Sequence, residues 1–245
     1  IDCVCHLAYI NGTKYFYSKP EIVIDVAING LMNVINLSLK YKIKELILAS
    51  SSEVYQKPTK IPTDENERLI IPNILNPRYS YGGGKILTEL VGVIYGKKFF
   101  KKLIIFRPHN VYGPNMGEEH VIPTFIKKIK KIKNKGILKI QGSGTETRAF
   151  IYIDDFIEGL YKVISKGKHL NIYNIGNNEE IRIKYLANKI AKLMNKKIIF
   201  KYTPGLTGST SRRCPDIKKI RKLGFKSVVN LDNGLRKTIE MTFKS

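Results

Sequence analysis

Glu45-Leu46-Ile47-Leu48-Ala49-Ser50-Ser51-Ser52-Glu53 decides the fold. A short run of apolar residues with no polar alternation ends in three hydroxyls and a carboxylate, which reads as a buried strand with a polar cluster at its end. Upstream, residues 1–8 read as another apolar strand, and 20–39 as a helix with Val23, Ala27, Leu31, Val34 and Leu37 on one face. Downstream, a polar loop through Pro58, Pro62, Pro72 and Pro77 leads to a helix over 78–97 and a strand over Leu103–Arg107. After a loop at 108–119, the pattern predicts a helix over 122–133, a strand over 137–140, a turn at Gly142 and Gly144, and a strand over Arg148–Ile153. A helix from Asp154, a strand over Asn171–Ile175, a helix over 180–193, a strand over 198–202 and helices near 215–223 and 231–243 complete the chain. Short apolar strands alternating with helices imply an α/β fold whose parallel sheet is covered on both faces.

Composition narrows the class. The chain has 245 residues, 43% of them hydrophobic, which is too apolar for a disordered protein. No run approaches the ~18 uninterrupted apolar residues of a membrane span. Three cysteines do not make a disulfide scaffold and fit a reducing, cytoplasmic compartment. The opening residues lack the basic and apolar regions of a signal peptide. Lys and Arg number 43 against 20 Asp and Glu, a net charge of +23 that would attract nucleic acid, anionic membrane or phosphorylated substrates.

Tyr81-Gly82-Gly83-Gly84-Lys85 carries the chemistry. Tyr and Lys at i, i+4 share one helix face. An ammonium beside a phenol favours the phenolate and makes Tyr a usable base near neutrality. A Ser hydroxyl from the preceding strand end can bind the same substrate oxygen, which gives a device for removing a proton from an alcohol as hydride leaves its carbon. Three helical glycines each cost ~1 kcal/mol relative to Ala, and suggest the close approach of a cofactor or substrate.

Five ordered segments set this constellation in a family: Cys5-His6-Leu7-Ala8, Ser50-Ser51-Ser52-Glu53-Val54-Tyr55, Tyr81-x-x-x-Lys85, Arg107-Pro108-His109-Asn110-Val111-Tyr112-Gly113-Pro114, and Gly144-Thr145-Glu146-Thr147-Arg148-Ala149-Phe150-Ile151-Tyr152-Ile153-Asp154-Asp155. With Arg212-Arg213-Cys214-Pro215-Asp216-Ile217, they resemble the extended short-chain dehydrogenases/reductases, and among them the NAD-dependent nucleotide-sugar epimerases, dehydratases and decarboxylases. The resemblance implies a Rossmann-like doubly wound sheet and a partial NAD-binding domain over 1–114. It implies a smaller α/β substrate-binding region over 115–245, with strands 148–153 and 171–175 shared with the sheet. It implies Ser51, Tyr81 and Lys85 as catalytic residues, and NAD against Leu7, Ala8, Ser50, Tyr81, Lys85, Pro108 and His109. The partner would be a nucleotide-diphosphate sugar held by Ser52, Asn110, Arg148, Arg213 and Asp216, in an enzyme that is a homodimer when complete. Glu53 would either deprotonate the sugar carbon beside the new ketone or only hydrogen-bond substrate or loop, so the step after oxidation at carbon 4 stays open. Ala27 departs from an Asn common in the family.

The family's glycine-rich turn after its first strand, and the acidic residue ending its second, have no counterpart here. Such a turn seats pyrophosphate on a helix N-terminus. The expectation is an N-terminally truncated sequence short of roughly 60–80 residues, at ~30 per βαβ unit. Residues 1–8 would then form an uncovered apolar edge, and the chain alone would bind NAD poorly, tend to aggregate, and be either an impaired enzyme or a nucleotide-sugar-binding relic. No metal is expected, because Cys3 and Cys5 share a strand face while His6 points away and no partner pair follows. Specific nucleic-acid binding is not expected either. In Lys127-Lys128-Ile129-Lys130-Lys131-Ile132-Lys133 the isoleucines fall at helical spacing toward a core and the lysines toward solvent.

Overall fold

The computed structural model describes residues 1–205, 208 and 210–244. In chain order, β1 (Cys3–His6) is followed by α1 (Thr13–Ser18), α2 (Pro20–Asp25), a wide π turn (Val26–Gly30) and α3 (Leu31–Lys40). Next come β2 (Glu45–Ala49), a 3-10 turn (Ser52–Val54), α4 (Tyr79–Phe99) and β3 (Lys102–Pro108). β4 (Val111–Tyr112), α5 (Val121–Lys130), β5 (Lys135–Gln141), β6 (Thr147–Ala149), β7 (Ile151–Tyr152) and α6 (Ile153–Lys166) follow. The chain continues through β8 (Asn171–Ile175), β9 (Glu180–Arg182), α7 (Ile183–Leu193), β10 (Lys197–Thr203), β11 (Arg212–Arg213), α8 (Lys218–Arg221) and α9 (Leu231–Lys244).

The main sheet runs β1-β2-β3-β8 with every pairing parallel. The centres of β2 and β3 are apolar at consecutive positions because both faces are covered. Leu46, Leu48, Leu103 and Ile105 pack with Leu31, Ile35 and Phe100 on one side. Their alternates Ile47, Ile104 and Phe106, with Tyr173 and Ile175, meet Val163, Ile217, Ile220 and Phe225 on the other. A third core joins Ile122, Phe125, Ile126 and Ile129 of α5 to Leu138, Ile140, Leu186, Ile190 and Leu235. Lys127, Lys128 and Lys130 stay exposed on α5, with Lys127 paired to Glu118 at 2.5 Å.

Several local expectations shift. The helix expected over 20–39 contains the π turn, whose extra residue rotates the following face by one position. Ile35 and Ser38 are therefore buried, while Leu37 is exposed. The strand expected over 148–153 splits into β6 and β7, and neither joins the main sheet: β6 pairs with β9 and β11, and β7 with β4. Helix α6 starts at Ile153, where Asp155 accepts from the Val228 and Val229 amides and the Ser227 hydroxyl at 2.8–3.1 Å. Residues 180–182 are strand before α7 begins, α5 stops at Lys130, and only Lys218–Arg221 is helical within 215–223.

The segment Pro20–Lys40 is long and apolar enough to cross a membrane by length and composition, which the sequence reading did not anticipate. Yet Val23, Ala27, Leu31 and Ile35 are buried within the fold, as expected of an amphipathic covering helix. β1 pairs on one side with β2 and is a sheet edge among the described residues. Beside it, Val4, Val34, Leu37, Tyr41 and Ile43 line an open apolar groove.

Helix α4 lies so close to the sheet that a Cβ at Gly92 would stand 2.5 Å from Leu48 Cδ1. Gly92→Ala is therefore expected to destabilise the fold by roughly 1–3 kcal/mol despite better helix propensity. Urea denaturation measures it, and an unchanged midpoint would contradict the contact.

Candidate active site

The four parallel strands end on one side, and the polar cluster read from the sequence lies there. Ser51 opens the turn after β2, its Oγ accepting from the Glu53 amide at 3.1 Å. Helix α4 then lays Tyr81, Lys85 and Glu89 along one face at successive four-residue steps. Glu89 accepts two bonds from Arg107, at 2.7 and 2.5 Å, and another from the Ser50 hydroxyl. Arg107, 1% exposed, also donates to the Tyr55 hydroxyl at 2.7 Å and the Glu65 carbonyl at 3.1 Å. Tyr55 donates to Asn174 Oδ1 at 2.8 Å, and His109 Nε2 lies 3.0 Å from that same oxygen. The Asn174 amide nitrogen donates to the Thr63 carbonyl, so its oxygen faces His109 and Nε2 carries the proton. Nδ1 of His109 is then a buried acceptor without a partner. Burial pushes the His109 pKa down to about 3, so the ring is neutral.

Tyr81 and Lys85 share a helix face, but the phenol is not acidified as the spacing implied. Burial pushes the Tyr81 pKa up to about 12, partly opposed by its hydrogen bond with Ser51. The Lys85 ammonium points elsewhere. It donates to the Ala49 carbonyl at 2.7 Å and sits 3.6 Å from the centre of the Tyr9 ring, against 5.9 Å for Tyr81. Burial lowers the Lys85 pKa from 10.5 to about 7, with Glu89 opposing. The folded state therefore binds fewer protons than the unfolded one between those values, and stability rises with pH across that window. Lys85→Met is expected to abolish this rise; urea midpoints measured from pH 6 to 10 check it, and a parallel rise in the variant would contradict it.

The three glycines also have another cause. Gly82 faces the Gln56 side chain, Gly83 faces Ile71, and Gly84 faces the Tyr9 hydroxyl and Ala27. The close neighbours here are the protein's own residues.

Beyond the strand ends lies a cleft of about 360 Å³ whose walls include Glu53, Arg78, Asn110, Lys128, Lys139, Arg148 and Arg213. Asn110 takes the left-handed conformation Asn tolerates (φ 42°) and donates to the Ala149 carbonyl at 3.0 Å. Arg213 donates to Glu53 at 2.7 Å. Burial alone would raise the Glu53 pKa, but Arg213, Arg78 and Arg148 outweigh it and hold it at about 2. Arg148 donates to the carbonyls of Thr147 and Thr210, at 2.7 and 2.6 Å.

Other sequence candidates lie apart. Asp216 is not on the cleft wall, and its carboxylate accepts from the Lys218 amide at the start of α8. Ser52 is buried inside the turn, and Leu7 and Ala8 are exposed after β1. The sequence reading missed Arg78, Lys128 and Lys139. Arg78 carried a usable signal, since it stands three residues before Tyr81 at the head of α4.

A parallel α/β sheet with a Tyr–Lys pair at its strand ends and an arginine-rich cleft beside it has the layout of dinucleotide-binding folds. A profile of the NAD dependent epimerase/dehydratase family matches residues 1–176, and the chain belongs to that family. It is 30% identical over 238 residues to an uncharacterised protein of Methanocaldococcus jannaschii, spanning 97% of this chain and 71% of that one. It is also 30% identical over 243 residues to UDP-glucuronic acid decarboxylase 1 of Danio rerio, spanning 98% of this chain and 57% of that one. Among solved structures it superposes on the UDP-glucose 4-epimerase of Thermotoga maritima, with a TM-score of 0.89 at 25% identity, over 99% of this chain and 77% of that one.

The cofactor of the family is NAD. The orphaned His109 Nδ1, at the end of β3, fits an amide-bearing ligand, and Ser51, Tyr81 and Lys85 offer buried polar groups at the neighbouring strand end.

Proposed function

We propose that the chain acts on nucleoside-diphosphate sugars by transient oxidation at sugar carbon 4. Lys85, Tyr81 and the His109 end of β3 would hold NAD, which would supply the reversible oxidation and reduction of that carbon. Tyr81 takes the hydroxyl proton as its phenolate, a form that burial disfavours and that the hydrogen bond with Ser51 favours, and Ser51 orients the same oxygen. The diphosphate lies in the cleft among Arg78, Arg148 and Arg213, whose guanidinium groups suit paired phosphate oxygens.

The observation that carries the reading furthest is the Glu53–Arg213 pair. Dehydration needs a base for a carbon-bound proton, and Glu53 is instead engaged by the Arg213 guanidinium at 2.7 Å. Epimerisation at carbon 4 needs no such base. Neither does decarboxylation, because a uronate oxidised at carbon 4 is a β-keto acid that loses carbon dioxide unaided. The zebrafish relative is named as a decarboxylase and the Thermotoga neighbour as a 4-epimerase, and both outcomes fit this site.

The test is incubation with NAD and, separately, UDP-glucose, UDP-glucuronate and dTDP-glucose, with products identified by mass spectrometry and NMR. An inverted sugar or released carbon dioxide is expected. Loss of water would overturn the reading of Glu53, and no change in any substrate would overturn the proposed activity.

A further inference from the structure

Tyr9 covers the pair that the proposed function requires to be reached. Its ring lies 3.6 Å from Lys85 Nζ and meets Tyr81 edge-on, with centroids 5.2 Å apart at 87°. Phe16 stacks on Tyr81 from another side at 4.7 Å. Together they leave Lys85 only 3% and Tyr81 7% exposed. The Tyr9 hydroxyl fills the space that a side chain at Gly84 would take, yet it is buried with no hydrogen-bond partner. An unmet buried hydroxyl is destabilising, so this closed arrangement carries a cost that outward movement would relieve.

The segment bearing Tyr9 is held by packing rather than by hydrogen bonds, Tyr9 and Ile10 lying against Phe16, Val23 and Tyr81. Among the described hydrogen bonds, none ties Ala8, Tyr9 or Ile10 to another element. Gly12, just beyond, has φ 122°, a conformation open to glycine, and its amide is held only by its neighbour Asn11. A proton-transferring phenol and its lysine cannot serve a substrate hydroxyl while sealed under a ring.

We propose that Tyr9 is a hinged aromatic lid over Lys85 and Tyr81, closed in the free protein and swung out about Gly12 to admit a hydroxyl-bearing nucleotide ligand. The claim rests on the proposed roles of Tyr81 and Lys85. Its test needs neither cofactor nor sugar, so its failure would leave those roles standing.

The test is lysine acetylation with an N-hydroxysuccinimide ester, read peptide by peptide by mass spectrometry. A lid open in a minor fraction of molecules protects Lys85 roughly 10- to 1,000-fold relative to exposed Lys40. The protection factor of Lys85 should be well below that of the β3 amides in deuterium exchange, because opening is local. Tyr9→Ala should remove most of the protection, and Tyr9→Phe should keep or increase it, since the hydroxyl has no partner to lose. Should Tyr9→Ala lose its cooperative melting transition, Tyr9→Leu serves the same comparison. Protection unchanged in the truncated variants, or a wild-type Lys85 protection factor as large as that of the β3 amides, would overturn the lid.

Discussion

Replacing Tyr81 by Phe is expected to lower turnover of a nucleotide sugar about 10²–10⁴-fold, the usual worth of a positioned acid–base group. The change deletes one oxygen and keeps the ring stacked on Phe16 and edge-on to Tyr9. The thermal midpoint should therefore hardly move, while the Ser51 hydroxyl loses its phenol partner. Substrate affinity should stay close to wild type, because the diphosphate is held in the arginine-lined cleft; the loss then falls on kcat rather than KM. Steady-state kinetics on both proteins reads the split. Equal turnover would remove Tyr81 from the chemistry, and a loss confined to KM would make it a binding group.

The second large effect concerns stability. Glu89→Leu leaves the Arg107 guanidinium, 1% exposed, without its carboxylate. Removing one partner of such a buried pair costs about 3–5 kcal/mol. The Ser50 hydroxyl loses its acceptor at the same time. The double change Glu89→Leu with Arg107→Met should recover much of the loss, because no uncompensated charge then remains in the core. Urea denaturation of the three variants decides it. A single variant within about 1 kcal/mol of wild type would mean that water reaches the guanidinium or that Tyr55 and Glu65 suffice to hold it.

That network shows where a linear reading loses the structure. Glu89 lies one helical turn beyond Lys85, and Arg107 sits next to Pro108, so both were in plain view. Charged residues in isolation read as solvated, and only the packing of α4 on β2 and β3 makes them a buried pair. The main-sheet strands were legible because they are apolar on both faces, and the Tyr81–Lys85 face because helical spacing fixes it. Where Lys85 points was not legible, because its partners Ala49 and Tyr9 are 36 and 76 residues away in sequence. The glycines of 82–84 correctly announced a close approach and not what approached. The strand at 148–153 broke because β6 and β7 pair with different neighbours, a choice made by tertiary contacts. Lys128 and Lys139 reach the cleft from α5 and β5, with no local motif to mark them.

The central claim is that the cleft beside Tyr81 holds a nucleoside diphosphate. Calorimetric titration with UDP and with UDP-glucuronate tests it most directly, using wild type, Arg148→Ala and Arg213→Ala. Each arginine contributes charge-assisted bonds worth roughly 1.5–3 kcal/mol, so each variant should bind about 10- to 100-fold more weakly. Saturable one-to-one binding weakened in both variants is the expected result; no binding by wild type, or equal affinity in all three proteins, would contradict it.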